Sequence, residues 1–184
     1  MSQKVIDQLV SWVRNRFFGK YRGIVVDNED TTSRGRLKVR VPAVSGNQEM
    51  WAMPCVPYAG EGVGFYTIPA NGTGVWVEFE SGDPSYPIWT GCFWAQNQLP
   101  DENNADIKIL KTAKATLRID DAQDEIIIEN SSGSKITIGN EITIESGGAK
   151  HTIGSSGIVS EKSSAKTELN DVTFKVNNGA LEVM

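Results

Sequence analysis

At 184 residues the chain is long enough for one ordinary domain plus an appendage, and too short for two full-sized domains. Its net charge of -5 gives no general attraction to nucleic acid or to an anionic membrane surface. No apolar run approaches the ~20 residues that span a bilayer, and Lys4, Asp7, Arg14 and Arg16 break up the first apolar positions, so the start does not read as a secretory signal.

Residues 1–19 predict an amphipathic helix. Val5, Ile6, Leu9, Val10, Val13 and Phe17 share one stripe, Gln8, Ser11, Arg14 and Asn15 lie opposite, and Gly19 is a natural stop. Such a stripe is buried either against the chain's own domain or against a neighbouring protein.

Residues 20–95 predict an all-β domain. Short strands are expected at Tyr21–Asp27, Gly35–Val41, Trp51–Tyr58, Gly62–Ile68, Gly74–Glu80 and Ile88–Trp94, separated by Gly, Pro, Asn and Asp. Their period is two: Leu37, Val39 and Val41 alternate with Arg36, Lys38 and Arg40, and Val75, Val77 and Phe79 alternate with Trp76, Glu78 and Glu80. Strands this short in a stretch of this length suit a small closed barrel of the OB type, because closure removes exposed edges. Cys55 and Cys92 sit in apolar runs and read as buried free thiols in preference to a disulfide.

Residues 96–106 are polar, contain Pro100 and read as a linker. In residues 107–184, apolar pairs two apart recur: Leu117/Ile119, Ile126/Ile128, Ile136/Ile138, Ile142/Ile144, Phe174/Val176 and Leu181/Val183. The pattern is faint over residues 154–171. Short strands with one apolar face and no helix to cover them cannot form a stable unit alone. Three chains around one axis solve this: each forms one wall of a triangular prism with its apolar pairs inward. The expected fold is therefore all-β, an OB-type barrel with a short leading helix followed by an intertwined trimeric β-helix.

Chemistry-bearing residues are sparse. Glu78 and Glu80 lie on one face of one strand rather than across a cleft, and the single His151 sits in a glycine- and serine-rich stretch, so no catalytic set emerges and no enzyme is expected. Two isolated cysteines and one histidine do not make a zinc spacing, and no cofactor is expected. Asp120, Asp121, Asp124 and Glu125 form an acidic turn, a pattern more often solvated than cation-binding. Arg36, Lys38 and Arg40 with Trp51, Phe65 and Tyr66 could serve single-stranded nucleic acid, but the net charge argues against it, and the stripe equally suits an acidic protein partner.

Residues 21–94 carry an ordered set of Pro57, Gly60, Gly62, Gly64, Pro69, Gly72, Val75, Val77, Phe79, Gly82, Asp83, Pro84, Pro87, Gly91 and Trp94. In that order and spacing the chain resembles the phage baseplate assembly protein V family, related to valine-glycine-repeat spikes of type VI secretion. The resemblance implies the central spike of a contractile tail or tail-like injector: a homotrimer whose barrel sits on a hub protein below the tail tube. A PAAR-like protein caps its tip, and the needle is driven through the target cell envelope. It implies assembly in the bacterial cytoplasm into a virion or a tail-like particle. On this resemblance, Arg36, Lys38 and Arg40 are candidates for the hub contact, and Leu181, Val183 and Met184 for the cap platform. The trimer core would hold Leu117, Ile119, Ile126, Ile128, Ile136, Ile138, Ile142, Ile144, Phe174 and Val176. A trimeric receptor- or carbohydrate-binding fibre is the alternative from a different class. The paired histidines that bind iron at the tip of some relatives are absent.

Overall fold

The computed structural model describes residues 3–184; the first two residues of the helix expected over 1–19 lie outside them. The chain divides into two compact units, Met1–Gln98 and Leu99–Met184.

The first unit opens with α1 (Gln3–Arg14), none of whose residues is buried. Residues 16–18 then run over a turn of the barrel. The Phe17 amide donates to the Gly82 carbonyl at 2.8 Å, Arg16 pairs with Asp83 at 2.8 Å, and the Phe18 ring covers Gly82 so closely that a Cβ there would meet it at 2.9 Å. Phe17, Tyr21 and Phe79 pack as an aromatic cluster with centroids 5.7–6.0 Å apart.

The barrel strands are β1 (Tyr21–Asp27), β2 (Leu37–Arg40), β3 (Glu49–Pro54), β6 (Gly74–Phe79) and β7 (Pro87–Cys92), closed in the order β1-β2-β3-β7-β6. A short helix α2 (Pro42–Ser45) joins β2 to β3, and a two-strand arm, β4 (Ala59–Gly60) and β5 (Val63–Gly64), interrupts the run from β3 to β6. All barrel pairings are antiparallel except β3 with β7, which is parallel. Alternation places Val25, Leu37, Val39, Ala52, Val75, Val77, Phe79 and Trp89 in the core together with Val41. Each fully buried Val or Leu contributes about 1.5–3 kcal/mol. The Trp89 indole N–H donates to the Gly35 carbonyl at 3.1 Å, which satisfies the one polar atom this ring brings inside.

Two expectations change here. The run Gly62–Ile68 is not a barrel strand: only Val63–Gly64 pairs, and it pairs with β4. Gly62 and Gly64 take φ of +70° and +156°, which turn the chain out of a ladder, and Phe65 and Tyr66 both point to solvent. The two cysteines are free, but both are exposed. Cys92 is the last residue of β7, opposite Val75 and beyond a bulge at which Thr90 has no partner.

The second unit is one antiparallel sheet of ten strands in sequence order: β8 (Ile107–Lys111), β9 (Ala115–Asp120), β10 (Glu125–Asn130), β11 (Lys135–Ile138), β12 (Ile142–Ser146), β13 (Ala149–Gly154), β14 (Gly157–Lys162), β15 (Ala165–Leu169), β16 (Phe174–Val176) and β17 (Leu181–Val183). It is a meander, with no winding of the chain about an axis. The connections dictate this: Gly147 and Gly148, with φ of +55° and +76°, form a two-residue turn of the kind that joins antiparallel neighbours only. Residues 154–171, faint in the sequence, supply β14 and β15.

Candidate assembly interface

The register of the ten-stranded sheet aligns its apolar pairs in two columns on one face. One column is apolar at every rung from Ile119 through Ile126, Ile138, Ile142, Ile153, Ile158, Leu169 and Phe174 to Val183. The other runs Leu110, Leu117, Ile128, Ile136 and Ile144, passes through His151, Ser160 and Thr167, and resumes at Val176 and Leu181. Every residue proposed from sequence for a trimer core lies on this face. Ile153, Ile158 and Leu169 belong to it too and were missed, because their strand partners at the other rungs are polar.

Among the described residues of the second unit, no element packs over this face. Among the described residues, every buried apolar side chain is in the barrel and the only buried polar one is Asp120, whereas Leu117 is 37% and Leu169 49% exposed. At about 25 cal/mol per Å² of apolar surface removed from water, a face this long has a large drive toward a partner.

The opposite face is built for solvent. Glu129, Lys135, Glu145, Lys150, Glu161 and Lys166 follow one another directly across five strand pairings, alternating in sign at every rung. Lys150 reaches Glu145 at 3.5 Å, and Lys175 reaches Glu182 at 3.2 Å in the next column. A threonine run, Thr137, Thr143 and Thr152, lies beside it. Ile107, Ile109, Ile127 and Val159 also lie on this opposite face, but scattered among charges and threonines, so the continuous apolar columns belong to one face only.

The basic stripe of the barrel is largely committed within the domain. Arg36 donates to Asp30 from Nη2 at 2.8 Å and from Nε at 3.1 Å, and its guanidinium lies 5.0 Å from the Trp51 ring centroid. Asp30, only 5% exposed at its side chain, also accepts from the Thr32, Arg34 and Arg36 amides. The Arg36 hydrogen bonds, with those of Thr32 and Arg34, hold this carboxyl far below the usual carboxylate range despite burial. Lys38 and Arg40 share Glu49 at 3.4 and 3.3 Å.

The acidic turn after β9 is likewise used internally. Asp120 pairs with Arg118 at 3.0 Å and accepts from the Ala122 and Gln123 amides, and Asp121 pairs with Lys108. Among the described residues of one chain, no group of three His, Cys, Asp or Glu is placed to hold a metal ion. Glu78 is engaged by Lys20 at 2.8 Å. Leu181, Val183 and Met184 are all well exposed, and β17 is an outer strand of the sheet with one unpaired backbone edge.

Residues 21–94, about two fifths of the chain, match the type VI secretion system/phage-baseplate injector OB domain family. The barrel belongs to that family. A comparison with curated proteins finds no match for the chain. The injector OB domain is a structural baseplate module and not a known enzyme family, so the matched part assigns a structural role in a phage-baseplate or type VI secretion injector, assembled with other baseplate components. Within it, the Gly82-Asp83-Pro84 turn has a visible task. Asp83 accepts from the Ser85 amide at 3.0 Å and from Arg16, and these contacts, the Ser85 amide first, keep its carboxyl below the ordinary range.

Proposed function

We propose that the chain is the central spike of a contractile injector and works as a homotrimer. One observation carries the reading: a ten-stranded sheet with one apolar face and no core of its own follows an injector OB domain. Three copies packed face to face give each sheet the layer it lacks. Each sheet is then one wall of a prism about 43 Å long, from nine spacings of ~4.8 Å between ten strands. Interleaving of the three chains is not required, because every internal strand already pairs with its own chain.

In this reading the barrels rest on the hub below the tube. Lys38 and Arg40 contribute to that contact more than Arg36, whose charge Asp30 already neutralises. The three β17 edges with Leu181, Val183 and Met184 form the platform for a PAAR-like tip protein, which supplies backbone partners to an otherwise open edge. The work is mechanical: a rod of continuous hydrogen bonding around an aliphatic core passes through the target cell envelope when the particle contracts. The spike carries no catalytic group and no nucleic-acid role in this account.

The test is location and copy number in the assembled particle. Particles carrying a tagged chain, imaged by electron cryo-microscopy, should show three copies on the axis beyond the tube end. Copies distributed along the sheath, or at peripheral fibres, would exclude the spike reading in favour of another baseplate role.

A further inference from the structure

The turns of the ten-stranded sheet divide by charge. On one edge, the connections β8–β9, β10–β11, β12–β13, β14–β15 and β16–β17, with the strand residues that flank them, carry Lys111, Lys114, Lys135 and Lys162 and no acid. On the other edge, β9–β10, β11–β12, β13–β14 and β15–β16 carry Asp120, Asp121, Asp124, Glu125, Glu141 and Asp171 and no base. Arg118 and Lys108 occupy Asp120 and Asp121, but the other four acids make no ion pair among the described residues. Lys114 and Lys162 make none either.

Lys162 is the most exacting case. It lies on the apolar face, directly across from Ala149 and Ala165, and lines a groove of about 550 Å³ with His151, Ser160 and Thr167. Glu161 beside it belongs to the opposite face, between Lys150 and Lys166. An ammonium on a face that assembly buries has to run out to the edge and find a carboxylate or water there.

We propose that neighbouring walls of the trimer are joined by an ionic seam, in which the basic turns of one chain meet the acidic turns of the next, with Lys162 against Asp171. The inference rests on the trimeric reading given above. Around a threefold axis, unlike edges of adjacent sheets abut, because every contact is head to tail. Each turn of one edge then lies between two turns of the other, one strand to either side, a step of ~4.8 Å that a lysine side chain spans. One strand onward along the chain, β8–β9 meets β9–β10 and β10–β11 meets β11–β12, base with acid both times. The uncharged β12–β13 then meets the uncharged β13–β14, and β14–β15 with Lys162 meets β15–β16 with Asp171. One strand back, only β10–β11 with β9–β10 joins base to acid, and the other three meetings leave a charge opposite a neutral turn. The charges thus select one register between copies, and any packing that brings like edges together sets acid against acid.

Zero-length carbodiimide coupling of the full-length protein is the test, followed by peptide mass spectrometry, with light scattering on the same samples. Lys162 and Asp171 lie at opposite edges of their own sheet, a strand length of about 17 Å apart, so an amide between them forms only from chain to chain. The expected result is a trimer that yields the Lys162–Asp171 link. Lys162→Glu should raise trimer dissociation about tenfold at low salt, and adding Asp171→Lys should restore the parent value. A trimeric parent without that link, or a double variant no tighter than Lys162→Glu alone, overturns the seam and leaves the spike reading standing. A monomeric parent removes both.

Discussion

Asp30 shows how a single side chain organises a loop that has no regular structure. Its carboxylate gathers the amides of Thr32, Arg34 and Arg36 and the Arg36 guanidinium, and so closes the connection from β1 to β2. The folded chain holds this carboxyl far below the unfolded value of ~3.9. The unfolded chain therefore takes up the proton first. The contribution of Asp30 to barrel stability is complete above about pH 4 and is lost as pH falls below that. Asp83 and Asp101 are shifted the same way, led by the amides of Ser85 and Glu102. Denaturant melts of the barrel should change little between pH 7 and 5 and weaken steadily below about pH 4; Asp30→Asn should flatten that acid limb. Gly157 makes a steric prediction. It has φ of +134°, and a Cβ there would lie 2.1 Å from the Leu169 carbonyl oxygen. Gly157→Ala should cost more than about 1 kcal/mol, read from the thermal unfolding of the full-length protein.

At the scale of elements, the charged ladder on the outer face sets the strand register. Lys150→Glu places an acid between Glu145 and Glu161. The expected loss is about 0.5–1 kcal/mol, smaller at high salt because the pairs are exposed to solvent. The strands themselves were legible. Leu37, Val39, Val75, Val77 and Phe79 alternate in sequence and are buried in the barrel, and the pairs from Leu117/Ile119 to Ile142/Ile144 mark strands because period two shows a half-buried face. Pairing direction was less legible, since alternation is the same for a wound and a meandering chain. The signal lay in the turns: Gly147-Gly148 is too short for anything but a hairpin. The strand expected at Gly62–Ile68 failed for a related reason, the closely spaced glycines. Exposure of Cys92 was not legible because an apolar run does not show that this residue is the last of its strand. The polar rungs at His151, Ser160 and Thr167 also escaped notice, because they become a feature only when the register sets them beside one another.

At the scale of the whole molecule, the two units solve burial differently. The barrel closes on itself around nine buried apolar side chains, whereas the ten-stranded sheet has none among the described residues. The first has a core of its own; the second presents an apolar face that the described residues leave exposed, and copies of the same chain are the cover proposed above. A single acid in the apolar column therefore acts on assembly, leaving the barrel intact. Ile142→Asp should abolish the trimer while the near-ultraviolet spectrum of the barrel, which holds the buried Trp89 and the Phe17, Tyr21 and Phe79 cluster, persists. Helix α1 keeps its stripe of Val5, Ile6, Leu9, Val10 and Val13 exposed, so packing on its own barrel does not account for that stripe.

The central claim, that the apolar face is covered by two further copies of the same chain, is tested most directly by the solution mass of the full-length protein by light scattering at micromolar concentration. The account predicts three times the 20.1 kDa chain mass, retained in mild SDS at room temperature. A clean monomer that unfolds cooperatively would contradict it.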